Sequence, residues 1–406
     1  MQFGKQLPQG VADLYSNDYE NKEYIIKQIN QLTKLYGFKP IQTPTFEYYD
    51  LFMNMPGTLD PDQMIKLIDH DGKILVLRPD ATVPIARMVA NSNQPLEVEK
   101  LSYVTNIFRM QNGESDVFSR SFTQLGVECF GKKNRYVDVE MIALAIETLK
   151  TVGLQRYQID LGQAKFFQAL MDEINPTPEL QREIQEKLEQ KNEFELEQIL
   201  NENHVNEKAK QVLTQLTYLF GNPREVIKKA KPLALNSDML QAINELEWIV
   251  EQINGLGLSE YISIDLGLVN NLNYYTGVMF QGFVHDFGRS VIQGGRYDSL
   301  TEQFGIKVDA IGFGVYLDQL IDVLDQQDIS LKNDTAMINV KSQNSIYAFQ
   351  VANELRRNGY AVNLFDQKAS ILIDLDEKLI SNHKGNRTFD GSDDLLKKVG
   401  QFYGEN

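Results

Sequence analysis

The sequence predicts an α+β fold: a mostly antiparallel sheet flanked by helices, interrupted by a helical insertion and followed by a small α/β domain. Alternating apolar and polar residues predict strands in residues 1–163 and 257–328. Residues 164–256 are instead rich in Glu, Gln, Lys and Leu with helical periodicity. Residues 334–406 combine both patterns over a short length. We therefore expect a sheet-based core in two parts, an insertion between them and a C-terminal domain.

The first part of the core begins with a long helix predicted over residues 17–36. Asn17 and Glu20 have the spacing of a capping box, and a glycine follows the helix. The next segment contains Pro40 and Pro44, which favour an edge or interface strand over a central one. This segment should therefore lie at the border of a sheet.

Further strands and helices alternate along the rest of this first part. Residues 74–78 predict a short buried strand, with a helix beginning near Thr82. Residues 101–110 and 121–131 predict two strands joined by a polar loop. A helix over about 137–151 and the strand YQIDLG complete this part.

The second part of the core returns to strand patterns at Tyr261. A hairpin is predicted with its turn near His285 to Gly288, and the segment DAIGFGVYLDQL predicts a strand that leads into a helix. Tyr274 and Tyr275 are adjacent in a segment predicted to be extended, where neighbouring side chains point to opposite faces. We therefore expect at most one of these tyrosines to face a pocket.

The C-terminal domain is predicted to contain a helix ended by Gly359, then a strand, and a further strand at ASILIDL. This domain holds about as many acidic as basic residues. It lacks the basic stripe that is typical of RNA-binding surfaces.

The composition is that of a globular chain without disulfides or a cysteine-based metal site. Cys129 is the only cysteine, and we interpret it as a buried core thiol. The four histidines are scattered without ligand spacing. No apolar stretch approaches the ~20 residues of a membrane span. We expect a cytoplasmic protein with no metal and no cofactor.

The charge balance disfavours nucleic acid as a partner. The formal net charge is −16, whereas non-specific binding to phosphate backbones depends on Lys and Arg. This balance lowers the expectation of nucleic-acid binding without excluding a local basic patch.

Four motifs occur together in a fixed order. They are LRPDAT at 77–82, FRMQ at 108–111 followed by SFTQLGVECFG at 121–131, LNYYTGVMF at 272–280, and GGRYDSL at 294–300 followed by AIGFGVYLDQL at 310–320. Each motif alone is weak, because GGRYD is just as often a turn before a helix. Jointly, over roughly residues 5–325, the chain resembles the catalytic core of histidyl-tRNA synthetase, a class II aminoacyl-tRNA synthetase. The segment around Pro44 looks like motif 1 of that class.

The resemblance implies a histidine pocket. The synthetase family's LRPE-x-T motif matches Asp80 and Thr82 here, and the family's QxGxE motif matches Gln124 and Glu128. The candidate histidine-binding residues are Asp80, Thr82, Arg109, Gln124, Glu128, Tyr274, Tyr275 and Tyr297. A desolvated ammonium needs anionic or acceptor partners, and an imidazole needs polar partners at its nitrogens between flat walls. These residue types supply both requirements.

Each candidate also has a purely structural interpretation. Thr82 can cap a helix, Glu128 can be a surface ion-pair partner, and either tyrosine of the LNYY motif can pack in the core. Arg109 and another nearby cation, Arg120, can hold an anion or form structural salt bridges.

The family pattern breaks where a synthetase holds positive charge. The family's arginine before its LDYY motif corresponds here to Asn270, with Asn271 in place of a glycine. Gln319 stands where motif 3 has an arginine, and Gln111 replaces the motif 2 acid. Removing one such transition-state stabiliser costs on the order of 10²–10³ in rate, and neutral amides do not replace guanidinium charge. We therefore expect no catalytic residues and almost no adenylation.

This combination resembles the family of ATP phosphoribosyltransferase regulatory subunits, non-catalytic paralogues of histidyl-tRNA synthetase. The aspartate of LRPDAT, Asp80, looks more like this paralogue than the synthetase. The resemblance implies a short-form catalytic subunit as partner, histidine as feedback effector in the first step of histidine biosynthesis, and a self-dimer within a hetero-oligomer. Two alternatives stay open: a divergent active histidyl-tRNA synthetase, and a stand-alone amino-acid sensor that binds tRNA or another enzyme.

Overall fold

The computed structural model describes residues 6–53, 55, 59–92, 98–110, 119–131, 134–269, 274–329, 337–364 and 369–404. Three positions where the chain departs from the synthetase pattern, Gln111, Asn270 and Asn271, lie outside the described residues. The chain divides into two compact units, Met1–Leu331 and Lys332–Asn406.

The first unit is built on a nine-stranded sheet and a three-stranded sheet. The strands are β1 (Lys39–Pro40), β2 (Phe46–Tyr48), β3 (Lys66–Ile68), β4 (Ile74–Leu77), β5 (Val98–Phe108), β6 (Ser121–Gly131), β7 (Tyr157–Gln163), β8 (Phe220–Gly221), β9 (Ile262–Asp265), β10 (Val278–Val284), β11 (Ser290–Arg296) and β12 (Asp309–Tyr316). The large sheet has the order β1-β5-β6-β12-β11-β10-β7-β9-β8, and the small one β2-β4-β3. Only the β1–β5 and β7–β9 pairs of the large sheet are parallel. The predicted α+β class and mostly antiparallel sheet are confirmed.

Helices cover this framework and fill the segment between β7 and β9. The described α-helices are α1 (Ser16–Leu35), α2 (Tyr49–Met53), α3 (Thr82–Ala90), α4 (Tyr136–Thr151), α5 (Ala164–Ile174), α6 (Pro178–Glu189), α7 (Glu193–Glu202), α8 (Glu207–Leu216), α9 (Pro223–Ala230), α10 (Ser237–Gly255), α11 (Asp298–Glu302) and α12 (Leu317–Gln326). Helices α5 to α10 lie in the predicted insertion, which also contributes the short strand β8 to the sheet edge.

Several local predictions hold and two need correction. The strand at Pro40 is at the edge of the large sheet, and the hairpin between β10 and β11 has its turn at the predicted residues. The capping box is wrong, because α1 begins after Tyr15 and has no side-chain cap. The strand β4 exists, but it is not buried along its length: Val76 is fully buried, whereas Ile74 at its start is exposed.

The two faces of the large sheet have different roles. On β6, Leu125, Val127 and Cys129 point to one face and pack with α4 and the insertion helices in the main core. Cys129 is therefore the buried core thiol that the sequence predicts. The alternate residues Gln124 and Glu128 point to the opposite face, as the period of two in a strand requires.

Arg78 joins the small sheet to the edge of the large one. Its guanidinium is buried and donates to the backbone oxygens of Thr43 at 2.9 Å, Pro44 at 2.7 Å and Asn106 at 3.0 Å. These bonds hold the chain at the start of the LRPDAT motif, and so set the position of Asp80 and α3.

The second unit has its own five-stranded sheet and its own core. Its described elements are β13 (Ile338–Lys341), α13 (Ser345–Arg357), β14 (Val362–Asn363), β15 (Ile371–Asp374), β16 (Leu379–Asn382), β17 (Gly385–Thr388) and α14 (Ser392–Gly404), with the strand order β14-β13-β15-β16-β17. Ile338, Val340 and Ile373 pack with residues of both helices. The helix followed by strands is as predicted, with Gly359 in the left-handed region at φ +87°.

In the part of the chain that the structure describes, every helix is too short or too polar to cross a membrane.

Candidate amino-acid site

A narrow cleft with a volume of about 30 Å³ lies on the Glu128 face of the large sheet. Its lining side chains come from the start of α3, from β5 and β6, from the segment before β10, and from β11, β12 and the residues that follow them. All eight residues singled out from the sequence line it: Asp80, Thr82, Arg109, Gln124, Glu128, Tyr274, Tyr275 and Tyr297.

Two glycines of β12 make the room in which the polar side chains of β6 lie. Gly312 is the cross-strand partner of Glu128, and a Cβ at Gly312 would overlap the Glu128 carboxylate. A Cβ at Gly314 would overlap the Gln124 amide in the same way. Both positions therefore need glycine because a side chain from the neighbouring strand takes the space.

Glu128 lies at the bottom of the cleft and is 1% exposed. The Thr82 hydroxyl donates to its Oε1 at 2.9 Å, and the Tyr297 hydroxyl donates to its Oε2 at 2.5 Å. Burial raises the pKa of Glu128 to about 8, although these two hydrogen bonds act in the opposite direction. Glu128 is therefore a buried carboxyl with polar partners and not a surface ion-pair residue.

Asp80 and Thr82 reach the cleft from the N-terminus of α3. The Asp80 Oδ1 accepts a hydrogen bond from the backbone N–H of Val83 at 2.8 Å. Burial raises the pKa of Asp80, while that hydrogen bond and the charge of Arg109 oppose the rise. Thr82 is the first residue of the helix, and its hydroxyl bonds to Glu128. The helix-capping interpretation of Thr82 is therefore wrong.

Three tyrosine rings form the walls beside Glu128. The ring centres of Tyr274 and Tyr275 are 4.9 Å apart, and those of Tyr274 and Tyr297 are 5.9 Å apart at an interplanar angle of 78°. Both Tyr274 and Tyr275 line the cleft, so the prediction that at most one would do so is wrong. The reason is that the pair precedes β10, in a segment without the alternation of a strand.

Arg109 is the cation of the cleft. Its Nε donates to the backbone oxygen of Pro79 at 2.8 Å, and its guanidinium carbon lies 5.6 Å from the centre of the Phe122 ring. Arg120, the other cation considered from the sequence, is not among the residues that line the cleft. Its backbone accepts a hydrogen bond from the Arg109 N–H at 3.1 Å.

The arginine of the GGRYD motif has a structural role on the opposite face. Arg296 is buried and its Nε and Nη2 donate to one oxygen of Asp138, at 2.9 and 2.5 Å. Its Nη1 donates to Asp298 at 3.0 Å. These ion pairs of Arg296 anchor the end of β11, so that the next residue, Tyr297, points into the cleft.

Further polar residues complete the cleft, and the motifs did not identify them. Tyr103 belongs to β5, and the Tyr316 hydroxyl donates to the Gln293 Oε1 at 2.8 Å. Their signal lay in the strand register. Tyr316 pairs with Gln124, and Tyr103 pairs with the glycine between Gln124 and Glu128.

The remaining polar substitution that the structure describes lies outside this lining. Gln319 is in the first turn of α12 and is not a lining residue of the cleft. Within the described residues, one group of acids and histidine lies close enough together to share a metal ion, Asp69, His70 and Asp71. None of these three lines the cleft.

Comparison with known proteins agrees with this architecture. The family model for histidyl-tRNA synthetase matches residues 10–320. The crystal structure of histidyl-tRNA synthetase from Nostoc sp. is similar with a TM-score of 0.80 at 21% identity, covering 98% of this chain and 99% of that one. At this identity the likeness concerns the fold alone, and it confirms the class II synthetase-like fold.

Relatives with higher identity carry a different name. The ATP phosphoribosyltransferase regulatory subunit of Ruminiclostridium cellulolyticum is 36% identical over 361 residues, covering 88% of this chain and 86% of that protein. The one of Oceanobacillus iheyensis is 32% identical and covers 95% and 96%.

A solved structure agrees with these relatives. The structure of an ATP phosphoribosyltransferase regulatory subunit/histidyl-tRNA synthetase from Bacillus halodurans has a TM-score of 0.79 at 32% identity, covering 93% and 94%. The chain belongs to the histidyl-tRNA synthetase family and, within it, to the ATP phosphoribosyltransferase regulatory subunits.

Proposed function

We propose that this chain binds histidine in the cleft around Glu128 and regulates a short-form ATP phosphoribosyltransferase catalytic subunit, without catalysis of its own. The observation that carries the proposal is the buried Glu128 carboxyl, held by two hydroxyl donors between tyrosine rings. The bottom of this cleft suits a flat ring with polar nitrogens, because the aromatic walls can contact the faces of the ring and the carboxyl can contact the edge of the ring.

The charges at the cleft fit a free amino acid. Asp80 offers an acceptor to an α-ammonium group, and Arg109 offers a cation to an α-carboxylate. Together with Glu128 these groups pair each charged end of zwitterionic histidine with a group of opposite charge or an acceptor. Gln124 and Tyr275 then supply further hydrogen bonds.

Loss of catalysis follows from the missing cations. Adenylation concentrates negative charge on the α-phosphate, and preorganised arginines normally stabilise it. This chain has Asn270 and Gln319 at the two positions where the family has arginine. The chain keeps the groups that can bind histidine and lacks the arginines that would stabilise its adenylation.

Regulation then works by linkage between histidine and the assembled complex. Histidine favours one arrangement of regulatory and catalytic subunits, and typical coupling free energies of ~1–3 kcal/mol change an affinity about 5–150-fold. We place the chain in the cytoplasm, as a self-dimer within the hetero-oligomer that performs the first step of histidine biosynthesis.

Calorimetric titration with histidine tests the site. We expect one histidine per chain for the unchanged protein and none for Glu128→Ala, because the carboxyl at the bottom is gone. Glu251→Gln removes an exposed carboxylate on α10, outside the cleft, and serves as the control with unchanged affinity. Unchanged histidine binding by Glu128→Ala would show that the pocket is wrongly assigned.

A second measurement separates regulation from the alternatives. A divergent synthetase, which the family match and the retained Arg109 favour, would catalyse histidine-dependent exchange of pyrophosphate into ATP. We expect no exchange above background, and clear turnover would contradict the proposal. Pull-down from native cells should recover a phosphoribosyltransferase, whereas recovery of tRNA would favour a stand-alone sensor.

A further inference from the structure

A continuous row without aliphatic side chains crosses the large sheet on the face that carries the proposed histidine cleft. Cross-strand partners lie side by side on one face of a sheet. The partners along the row, from β5 to β9, are Tyr103, Gly126, Gly314, Gln293, Gln281, Asp160 and Ser263. None of these seven has an aliphatic side chain, although this row runs through the middle of the sheet. This row of cross-strand partners therefore runs from the Glu128 cleft to a second region of the same face.

The far end of the row is the floor of a second and larger cleft. This cleft has a volume of about 920 Å³. Gln281, Asp160 and Ser263 form its floor, while Lys191 and Phe220 approach it from the helical insertion and β8. Because Gln281 pairs directly with Gln293 of the first cleft, the two clefts are neighbours on one surface.

The charges of the second cleft select the sign of its ligand. Among the described residues, four acids line it, Asp160, Glu189, Glu260 and Asp265, against one cation, Lys191. Phosphate and carboxylate ligands are disfavoured by this balance, and cations are favoured. The second cleft thus differs in chemistry from a nucleotide site.

Lys191 shows how the cleft holds an ammonium group. Its Nζ lies 2.6 Å from Oδ2 of Asp265 and 4.3 Å from the centre of the Phe220 ring. Asp265 is fixed in turn, because its Oδ1 accepts the backbone N–H of Gly267 at 2.9 Å. A carboxylate beside an aromatic face is the arrangement that binds organic cations in proteins.

The backbone at Lys191 has an uncommon conformation. Lys191 follows α6 in the left-handed region, at φ +50°, where residues other than glycine are uncommon. On the floor, the Asp160 carboxylate accepts a hydrogen bond from the hydroxyl of the buried Ser263. An acceptor thus lies on the floor of the same cleft.

We propose that this second cleft is a binding site for a small organic amine, with one ammonium group bound by Asp265 and Phe220 and a second polar group on the Asp160 floor. The Lys191 ammonium occupies the first of these positions and competes with the ligand. The site is independent of histidine binding, so it can be tested whether or not the proposed function holds.

Calorimetry on the full chain without histidine tests this site, with the diamine cadaverine as probe. The uncharged diol of the same carbon chain length is the control ligand, at matched ionic strength. We expect cadaverine to bind one molecule per chain and the diol not to bind. Asp265→Asn should weaken cadaverine binding at least about tenfold, because the carboxylate that pairs with the ammonium group is lost. Lys191→Met should tighten it, since the competing ammonium is gone.

Two controls separate this site from the general attraction of cations to an acidic chain. Glu251→Gln removes one exposed negative charge outside the cleft and should leave cadaverine affinity unchanged. Hydrogen exchange should show protection by cadaverine at residues 189–193 and 262–267. Equal losses in Asp265→Asn and Glu251→Gln, diol binding as tight as cadaverine binding, or weaker binding by Lys191→Met would each overturn the proposal.

Discussion

At the deepest point of the histidine cleft, one carboxyl group links three segments that are distant in sequence. Glu128 from β6 accepts hydrogen bonds from Thr82 at the start of α3 and from Tyr297 after β11. A buried carboxyl with satisfied oxygens is tolerated, whereas removal of one donor leaves an acceptor without a partner.

Tyr297→Phe should weaken both folding and histidine binding. The change deletes the hydroxyl that donates to the Glu128 Oε2 and keeps the ring, so we expect a loss of about 1–3 kcal/mol in the free energy of unfolding. Urea unfolding and histidine calorimetry measure the two effects. Tyr261→Phe is the matched control, because Tyr261 stacks on Tyr157 with ring centres 5.1 Å apart and does not line the cleft. Equal histidine affinities in the two variants would contradict the role of the Tyr297 hydroxyl.

Glu128 should also make the stability depend on pH. Its pKa is about 8 in the folded chain, above the ordinary value of 4.5 that we expect in the unfolded chain. The folded state therefore binds more protons between these values, and its stabilisation falls as pH rises through this window. The slope from this group is at most about 1.4 kcal/mol per pH unit.

Glu128→Gln removes this titration, so urea unfolding from about pH 5 to pH 8 should show a flatter decline than in the unchanged chain. The comparison isolates Glu128, because other buried acids with raised pKa values, such as Asp138, are present in both proteins. Identical slopes would mean that Glu128 is ionised in the folded state.

The residues of the cleft could be predicted because short motifs fix them, but their local geometry could not. Asp80, Thr82, Gln124 and Glu128 lie at fixed offsets within two motifs, and both segments form the predicted elements. The prediction that at most one tyrosine of the pair faces the cleft was wrong, because an extended segment and a turn before a strand share the same residue types. Residues such as Gln293 and Tyr316 were missed since only the pairing of distant strands brings them to the cleft.

The cleft exists because strand β12 carries glycine at the positions that lie against the large polar side chains of β6. In the sequence, this arrangement is visible only as the alternating glycines of AIGFGV. Their apolar neighbours Ile311 and Phe313 pack in the main core. Strand existence could be predicted from periodicity. The register that pairs Gly312 with Glu128 is a long-range property, and one sequence does not contain it.

Gly312→Ala should therefore damage the site through packing alone. The added methyl group would overlap the Glu128 carboxylate and approach the backbone oxygen of Val127 at 2.5 Å, so we expect a loss of about 1–3 kcal/mol in stability and of histidine binding. Gly255→Ala on α10 is the control. Its added Cβ meets no atom within 4 Å beyond the neighbouring residues and backbone of its own helix, and alanine favours a helix, so stability should stay equal or rise. An unaffected Gly312→Ala protein would contradict the assigned role of β12.

At the scale of the whole molecule, the site is built within the first compact unit, while the second unit has a separate core. The sequence predicted a small C-terminal α/β unit from a change of pattern, and the exact boundaries at 163 and 256 stay predictions. The assembly is the level at which the proposed regulation acts, because a binding site changes a reaction elsewhere only if its ligand prefers one state of the complex.

The reconstituted complex tests regulation directly. A short-form catalytic subunit mixed with this chain should form phosphoribosyl-ATP, and histidine should inhibit the reaction with a coupling of about 5–150-fold. With Glu128→Ala the complex should stay active and lose inhibition, because the change removes the effector site and leaves the catalytic subunit untouched. Size-exclusion chromatography of the variant complex controls for assembly. A complex that assembles with Glu128→Ala and is still inhibited by histidine would place the effector site elsewhere. If the unchanged chain does not activate the catalytic subunit at all, the regulatory proposal itself fails, even if calorimetry shows histidine in the cleft.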